Sequence, residues 1–386
     1  MWLLRDPLQL SEIQLFFPPL MTQLLAFLDG TRTPQEVHAA FCRHVGANLE
    51  YEIVTEALAK LDEACLLDNN HSQQVKKGIL DTYRAQPYRL PALLNSGYPA
   101  QPEMLAGLLE SYTVEDPQKE WGAWHGRGII SPHIDYNRGG PVYSQVWKRA
   151  ASAVSEAELV LIFGTDHFGS PGTITLTGLP YATPYGVLPT DLELIDKLAQ
   201  SIGPHAAFAD ELHHRQEHSV ELSAVWLHHI SHQAGVTPRP MVPILVGSFQ
   251  HFITNGAHPT HDARLETLIE TLKQETIGRR VLAVASIDLA HVGPSFGDMF
   301  QMDQPRRSEL KVQDEALMAA AIAGDAENWY QQIASVQDRN RVCGFAPIYL
   351  LLRYIGPTSG YQIAYEQCPA DPQDHSLVSI CGLLLN

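Results

Sequence analysis

Short apolar runs alternate with helix-periodic stretches over most of the chain. The runs at 159–163, 241–246 and 281–286 have the length and continuous apolarity of strands that are buried on both faces. Helical spacing of apolar residues separates them, for example at 141–154 and 263–273. Because strands alternate with helices, the pattern predicts an α/β domain with a central mixed sheet flanked by helices.

Some segments of this domain predict other structures. The stretch 173–177 alternates apolar residues with threonine, which is typical of an exposed antiparallel strand. Strands are also predicted at 361–367 and 375–385, and a polar, aromatic stretch at 115–124 predicts a surface loop.

The first 75 residues have a separate, mostly helical pattern. Helices are predicted at 19–28, after Thr33, which starts a capping box, and at 51–61, followed by a short strand at 65–68. These elements predict a winged-helix-like accessory domain at 1–75, a polar linker at 76–92 and an α/β domain at 93–386. The accessory domain could recognise DNA, a peptide or a partner protein, or simply pack, and its scarcity of basic residues disfavours DNA.

Composition narrows the class of protein further. The chain has 386 residues and a net charge of −17, which disfavours nucleic-acid binding and anionic membrane surfaces. We identify no apolar stretch of about 20 residues, as a membrane span requires, and no basic start typical of a secretory signal. The five cysteines form no CxxC pair. These features predict a cytoplasmic protein without a disulfide framework.

Chemically versatile side chains follow the predicted strands. His133 comes after an apolar run that ends at Ser131, His167 follows the run at 159–163, and Asp288 and His291 follow the run at 281–286. Ligands of α/β sheets bind at the carboxyl ends of the strands, so these residues are candidates for chemistry.

Cys343 precedes a predicted helix, whose free N–H groups are expected to favour its thiolate. Imidazole and thiolate together suit iron, zinc or copper. With His291, Cys343 could instead form a nucleophilic pair.

Each candidate also has an ordinary structural interpretation. His133 could hydrogen-bond a loop carbonyl, Asp166 and Asp288 could cap turns, and Cys343 could be an inert buried thiol. His218 remains a candidate because Glu217 could tune its pKa. Two tandem pairs are expected to be solvated: His213–His214 and His228–His229.

Six short blocks of sequence carry the candidate residues: Ser131-Pro-His-Ile-Asp-Tyr136, Gly164-Thr-Asp-His167, Glu217-His-Ser-Val-Glu221, Pro243-Ile-Leu-Val-Gly247, Ser286-Ile-Asp-Leu-Ala-His291 and Val342-Cys-Gly344. In content and order they resemble the Memo family, whose prokaryotic members are labelled AmmeMemoRadiSam system protein B. The resemblance covers about residues 93–386. It implies a fold similar to the class III extradiol dioxygenases, which use non-haem Fe(II).

The resemblance also implies roles for individual residues. His133, His167 and Cys343 match the family's metal ligands, so iron (Fe2+) is the expected cofactor, with copper or zinc as alternatives. Asp288 and His291 are the expected catalytic residues. Further candidates for the pocket are Asp166, which stands where many members have serine, together with His218 and Tyr136.

Two functions follow as hypotheses. The first is an iron-dependent oxidoreductase with dioxygenase-like chemistry on a small molecule or peptide. The alternative is a non-catalytic protein that binds a metal or a peptide and acts with a radical-SAM enzyme or another protein of the same system.

Overall fold

The computed structural model describes residues 1–113 and 122–386. The chain divides into two compact units, Met1–Ala85 and Gln86–Asn386. Most of the loop predicted at 115–124 lies outside the described residues.

The first unit consists of two short antiparallel strands and several helices around a small apolar core that includes Leu24, Phe41 and Val54. Its elements are β1 (Trp2–Leu4), β2 (Leu15–Phe17), α1 (Pro19–Thr22), a 3-10 helix (Gln23–Phe27), α2 (Pro34–Val45), α3 (Tyr51–Glu63) and α4 (Asn70–Arg84). The capping box predicted at the start of α2 is confirmed, because Thr33 and Glu36 each bind the other's backbone N–H group.

The end of this unit differs from the sequence prediction. The strand predicted at 65–68 is wrong, because Cys65 takes up a left-handed φ of 57° after α3 and the chain turns towards a new helix. That helix, α4, starts with a capping box formed by Asn69 and Ser72 and includes residues assigned to the predicted linker at 76–92. The polar composition of this segment predicted a linker, but the Asn69 side chain caps the N-terminus of a helix there.

The second unit contains an eight-stranded mixed sheet with a separate two-stranded hairpin. The strands of the sheet are β3 (Gly128–Ser131), β4 (Leu159–Thr165), β5 (Ile174–Leu176), β8 (Met241–Val246), β9 (Val281–Ser286), β10 (His291–Val292), β11 (Gly360–Pro369) and β12 (Leu377–Leu385), and the hairpin is β6 (Tyr181–Thr183) with β7 (Gly186–Leu188). The order is β10-β12-β3-β9-β4-β8-β5, and β11 pairs with β12. The central mixed sheet is therefore confirmed.

Four parallel strands, β3, β9, β4 and β8, form the centre of this sheet. Their register places Ser131, Ser286 and Gly164 side by side, so three strands end level with one another. The loops that follow these strands consequently lie together at the carboxyl ends of the strands. Strand β5 is antiparallel to β8, as predicted for 173–177, but its three residues are buried rather than exposed.

Helices cover both faces of the sheet. They are α5 (Pro102–Ser111), α6 (Tyr136–Arg149), α7 (Ala151–Glu156), α8 (Leu192–Ile202), α9 (Pro204–Phe208), α10 (His213–Gln216), α11 (Ser219–Gln233), α12 (Gln250–Asn255), α13 (Ala263–Glu275), α14 (Gln304–Ile322), α15 (Ala326–Ser335) and α16 (Phe345–Ile355), with 3-10 helices at Pro259–His261 and Pro294–Phe296. Alternate residues of β4 face opposite layers. Leu161 packs with α8, α13 and α16, whereas Ile162 packs with α6, α7 and α11. Among the described residues, no helix has the length and apolarity needed to cross a membrane.

Asp314 on α14 is a buried carboxyl group that should make stability depend on pH. Burial raises its pKa to about 6, although the Tyr365 hydroxyl donates a hydrogen bond to it at 2.9 Å. A raised pKa means that the folded state favours the neutral acid. The stability that the neutral Asp314 carboxyl gives the fold is therefore fully present below the ordinary pKa of about 4, and it is lost as the pH rises through 6.

We therefore expect Asp314→Asn to raise the free energy of unfolding at pH 8 by about 1–3 kcal/mol and to leave it nearly unchanged at pH 4. Urea unfolding of the full chain at both pH values measures this difference. The exposed Asp196→Asn on α8 is the control and should show no such dependence. Equal effects of Asp314→Asn at the two pH values would contradict the assignment.

Candidate metal centre

Three histidine side chains converge where β3, β4 and α11 meet. His133 follows β3, His167 follows β4, and His218 is the N-cap residue of α11. One ring nitrogen from each lies within 4.8 Å of the others, and the ring centroids are 5.0–5.3 Å apart. His133 is buried, whereas the side chains of His167 and His218 are 35% and 37% exposed. The cluster therefore opens to solvent on one side.

Glu217 orients two of these rings. Its buried carboxylate accepts hydrogen bonds from the backbone N–H groups of His167, His218 and Ser219, at 2.8–3.0 Å. It also lies 3.1 Å from Nδ1 of His167 and 3.2 Å from Nδ1 of His218. Because a carboxylate can only accept in a hydrogen bond, the proton of each contact lies on Nδ1, and Nε2 is the ring nitrogen that faces away from Glu217. Histidines that bind metals in proteins are commonly held in this way.

The two pKa shifts around Glu217 have a common origin. Burial opposes ionisation of Glu217, but the hydrogen bonds from His167 and His218 outweigh it and hold the pKa of the carboxyl well below its usual range. Burial likewise opposes protonation of His167, yet the hydrogen bond and charge of Glu217 raise the pKa of that imidazole. Carboxylate and ring therefore stabilise each other in the absence of a metal.

His133 is held as a neutral imidazole. Its Nδ1 lies 3.0 Å from the Ser286 carbonyl oxygen, which can only accept, so Nε2 carries the lone pair. Burial is the main cause that lowers the pKa of His133 to about 3. The Asp288 carboxylate accepts from the backbone N–H groups of His133 and Ile134 at 3.0 and 3.1 Å, which fixes the turn after β3.

Cys343 lies beside His133 but outside the group of three imidazoles. Its Sγ is 3.3 Å from Nε2 of His133 and 3.3 Å from the backbone nitrogen of Asp288. Burial, followed by the nearby Asp288 charge, raises the pKa of the thiol well above its usual value. The expectation that a helix N-terminus favours the thiolate is therefore wrong for the metal-free protein. Helix α16 begins only at Phe345, and the cost of burying a charge prevails.

The other predicted residues have different surroundings. His291 places Nδ1 3.2 Å from the carbonyl oxygens of Leu289 and Arg341, and burial lowers its pKa. The Tyr136 hydroxyl donates to the Leu222 carbonyl on α11 at 2.7 Å, so this side chain is a buried packing residue of the core. Asp166 instead contacts His213, whose Nδ1 lies 2.8 Å from Oδ2.

The tandem histidines are not solvated, and that prediction is wrong. All four are buried. Each binds a specific partner: His213 contacts Asp166, His214 contacts Tyr181, His228 contacts Thr183 and His229 contacts Tyr185. Neighbouring residues on a helix face different directions, as expected, but here both directions are covered by other elements.

Fold and site together define an α/β protein with a histidine cluster beside the carboxyl ends of its central parallel strands, and this cluster could hold a metal ion. The family model described as Memo-like protein matches residues 89–383, and the chain belongs to the Memo family. A MEMO1 family protein of Aquifex aeolicus is 25% identical over 386 residues, covering 99% of this chain and 95% of the relative. That alignment includes the first unit.

Two archaeal relatives match a smaller part of the chain. A MEMO1 family protein of Archaeoglobus fulgidus is 26% identical over 267 residues, which cover 69% of this chain and 86% of the relative. One of Methanosarcina barkeri is 26% identical over 281 residues, which cover 72% and 92%.

Glu217→Gln should lower the pKa of His167 in the metal-free protein. Burial would still disfavour the charged ring, while the carboxylate charge that compensates for it would be lost. Titration of the ring signals by NMR measures this change. The control is Asp166→Asn, which removes a carboxylate next to His167 in sequence but one that binds His213, so a smaller shift is expected. A pKa of His167 that is identical in the wild type and in Glu217→Gln would show that the carboxylate does not control this ring.

Proposed function

We propose that the second unit binds one non-haem metal ion through His133, His167 and His218, and that the bound ion serves a redox or oxygenase-like reaction. The observation that carries the proposal is the set of three imidazole nitrogens within 4.8 Å of one another. Imidazoles whose Nδ1 atoms are already engaged favour such a role, because Nε2 is then the nitrogen that can bind a cation.

Cys343 fits the same ion as a further ligand. A bound cation lowers the pKa of a thiol that contacts it, which would offset the effect of burial. A donor set of imidazole and thiolate suits iron, copper or zinc better than magnesium or calcium. We propose iron(II), which would supply electron exchange with dioxygen or a small substrate.

The surrounding side chains support this chemistry in distinct ways. Asp288 is a positioning residue, because its carboxylate holds the backbone of His133 and Ile134. His291 is proposed to move protons. Its Nδ1 faces two carbonyl oxygens and its pKa is lowered by burial, so Nε2 is available as a proton acceptor.

A non-catalytic role is the second candidate, and one observation in the first unit favours it. Trp2 and Phe16, on the paired strands β1 and β2, are 62% and 59% exposed. Exposed aromatic side chains are typical of surfaces that bind other proteins. On this hypothesis the protein keeps its metal but converts no substrate, and the first unit binds a partner such as a radical-SAM enzyme.

Metal analysis of anaerobically purified protein tests the first proposal. We expect about one iron per chain in the wild type and less than about a tenth of that in the double variant His133→Ala/His167→Ala, because only His218 and Cys343 would remain to hold the ion. The exposed His261→Ala is the matched control and should retain the metal. Unchanged metal content in the double variant would refute the site.

A second experiment distinguishes the roles of His218 and Cys343. Cobalt(II) bound by a thiolate gives a sulfur-to-metal charge-transfer band. We expect this band in the wild type and in His218→Ala, and its loss in Cys343→Ser. His218→Ala should also weaken cobalt binding by about 10-fold or more. If the spectra of wild type and Cys343→Ser coincide, Cys343 is not a ligand.

A further inference from the structure

A cavity of about 390 Å³ lies at the amino-terminal ends of the central parallel strands, whereas the histidine cluster lies at their carboxyl ends. Its lining includes Arg127, just before β3, Ala157, just before β4, and Val281, which begins β9. The histidines follow the other ends of β3 and β4, and β4 alone extends roughly 20 Å. The cavity is therefore separate from the metal centre, and its volume falls within the range typical of small-ligand sites.

The walls of this cavity are rich in cations although the chain has a net charge of −17. Arg127, Lys273, Arg279 and Arg280 line it, and Glu156 is the acidic residue among its lining residues. Such a local excess of positive charge within an acidic protein attracts anions.

Two of the cations are already paired. Arg279 forms an ion pair with Asp191 at 2.8 Å, and Arg280 approaches Glu158 at 3.7 Å. Arg127 donates from Nη2 to the Ile355 carbonyl oxygen at 2.9 Å. Within the described part of the chain, neither Arg127 nor Lys273 forms an ion pair with a carboxylate.

Hydroxyl groups complete the polar lining. Thr276 Oγ1 and the Tyr354 hydroxyl, both in the cavity wall, lie 2.8 Å apart. The Thr276 hydroxyl already donates to the Leu272 carbonyl at 2.6 Å, so the two cations without a carboxylate partner, rather than the hydroxyls, match the charge of a dianion. Guanidinium groups in particular bind phosphate oxygens through parallel N–H bonds.

We propose that this cavity binds the phosphate group of a small molecule, with Arg127 and Lys273 as its charged contacts. A small molecule is favoured over a nucleic acid because the remainder of the acidic chain repels an extended polyanion. This site is independent of the proposed metal chemistry.

Calorimetric titration of the metal-free full chain tests the proposal, with inorganic phosphate in one arm, glycerol phosphate in the other and ionic strength held constant with chloride. We expect one saturable site that weakens by about 10-fold or more in Arg127→Gln and in Lys273→Gln. Tighter binding of glycerol phosphate would identify an organic phosphate as the ligand, and equal or tighter binding of inorganic phosphate would identify the free ion.

Two controls make the result specific. Arg264→Gln removes a positive charge from the same helix, α13, but outside the cavity, and should bind as the wild type does. His133→Ala should also bind normally, because it alters only the histidine cluster. The proposal fails if neither phosphate saturates, if Arg264→Gln loses as much affinity as Lys273→Gln, or if an oligonucleotide binds while both small phosphates do not.

Discussion

The candidate site depends on a buried carboxylate, that of Glu217. It accepts hydrogen bonds from the loop after β4 and from the N-terminus of α11, and so connects the two segments that carry His167 and His218. Burying a carboxylate away from water costs free energy unless its oxygens are hydrogen-bonded, and here several N–H groups donate to them. The positions of two rings are thus fixed by an interaction that also satisfies the backbone.

The third ring, that of His133, is positioned by two groups, the Asp288 carboxylate and the Ser286 carbonyl. Asp288 binds the backbone after β3, while Ser286 fixes the proton on the His133 ring. Both carboxylates, those of Glu217 and Asp288, accept from backbone N–H groups, so hydrogen bonds within the chain hold the segments that carry the three rings. Such preorganisation would lower the conformational cost of binding a cation, since the rings are already oriented.

The sequence allowed a good prediction of the sheet and a partial prediction of the site. Continuous apolar runs such as 159–163 identify buried strands, and the strand-end rule singled out His133 and His167. The burial of His213 and His214 was not predictable, because it depends on Asp166 and Tyr181, which are distant in sequence. Local pattern encodes strands well, but it does not encode which polar side chains find partners across the fold.

The Cys343 thiol illustrates the same limit in electrostatic terms. From sequence, proximity to a helix start suggested a stabilised thiolate, whereas burial and the Asp288 charge favour the neutral thiol. Helix-end effects are worth about 0.3–1 kcal/mol at exposed positions, while burying an unpaired charge costs several times more. Desolvation therefore decides the protonation state of this thiol in the absence of a metal ion. If a cation did bind here, the Cys343 thiol could lose its proton, and the resulting thiolate would join the carboxylates of Glu217 and Asp288 in offsetting the charge of the ion.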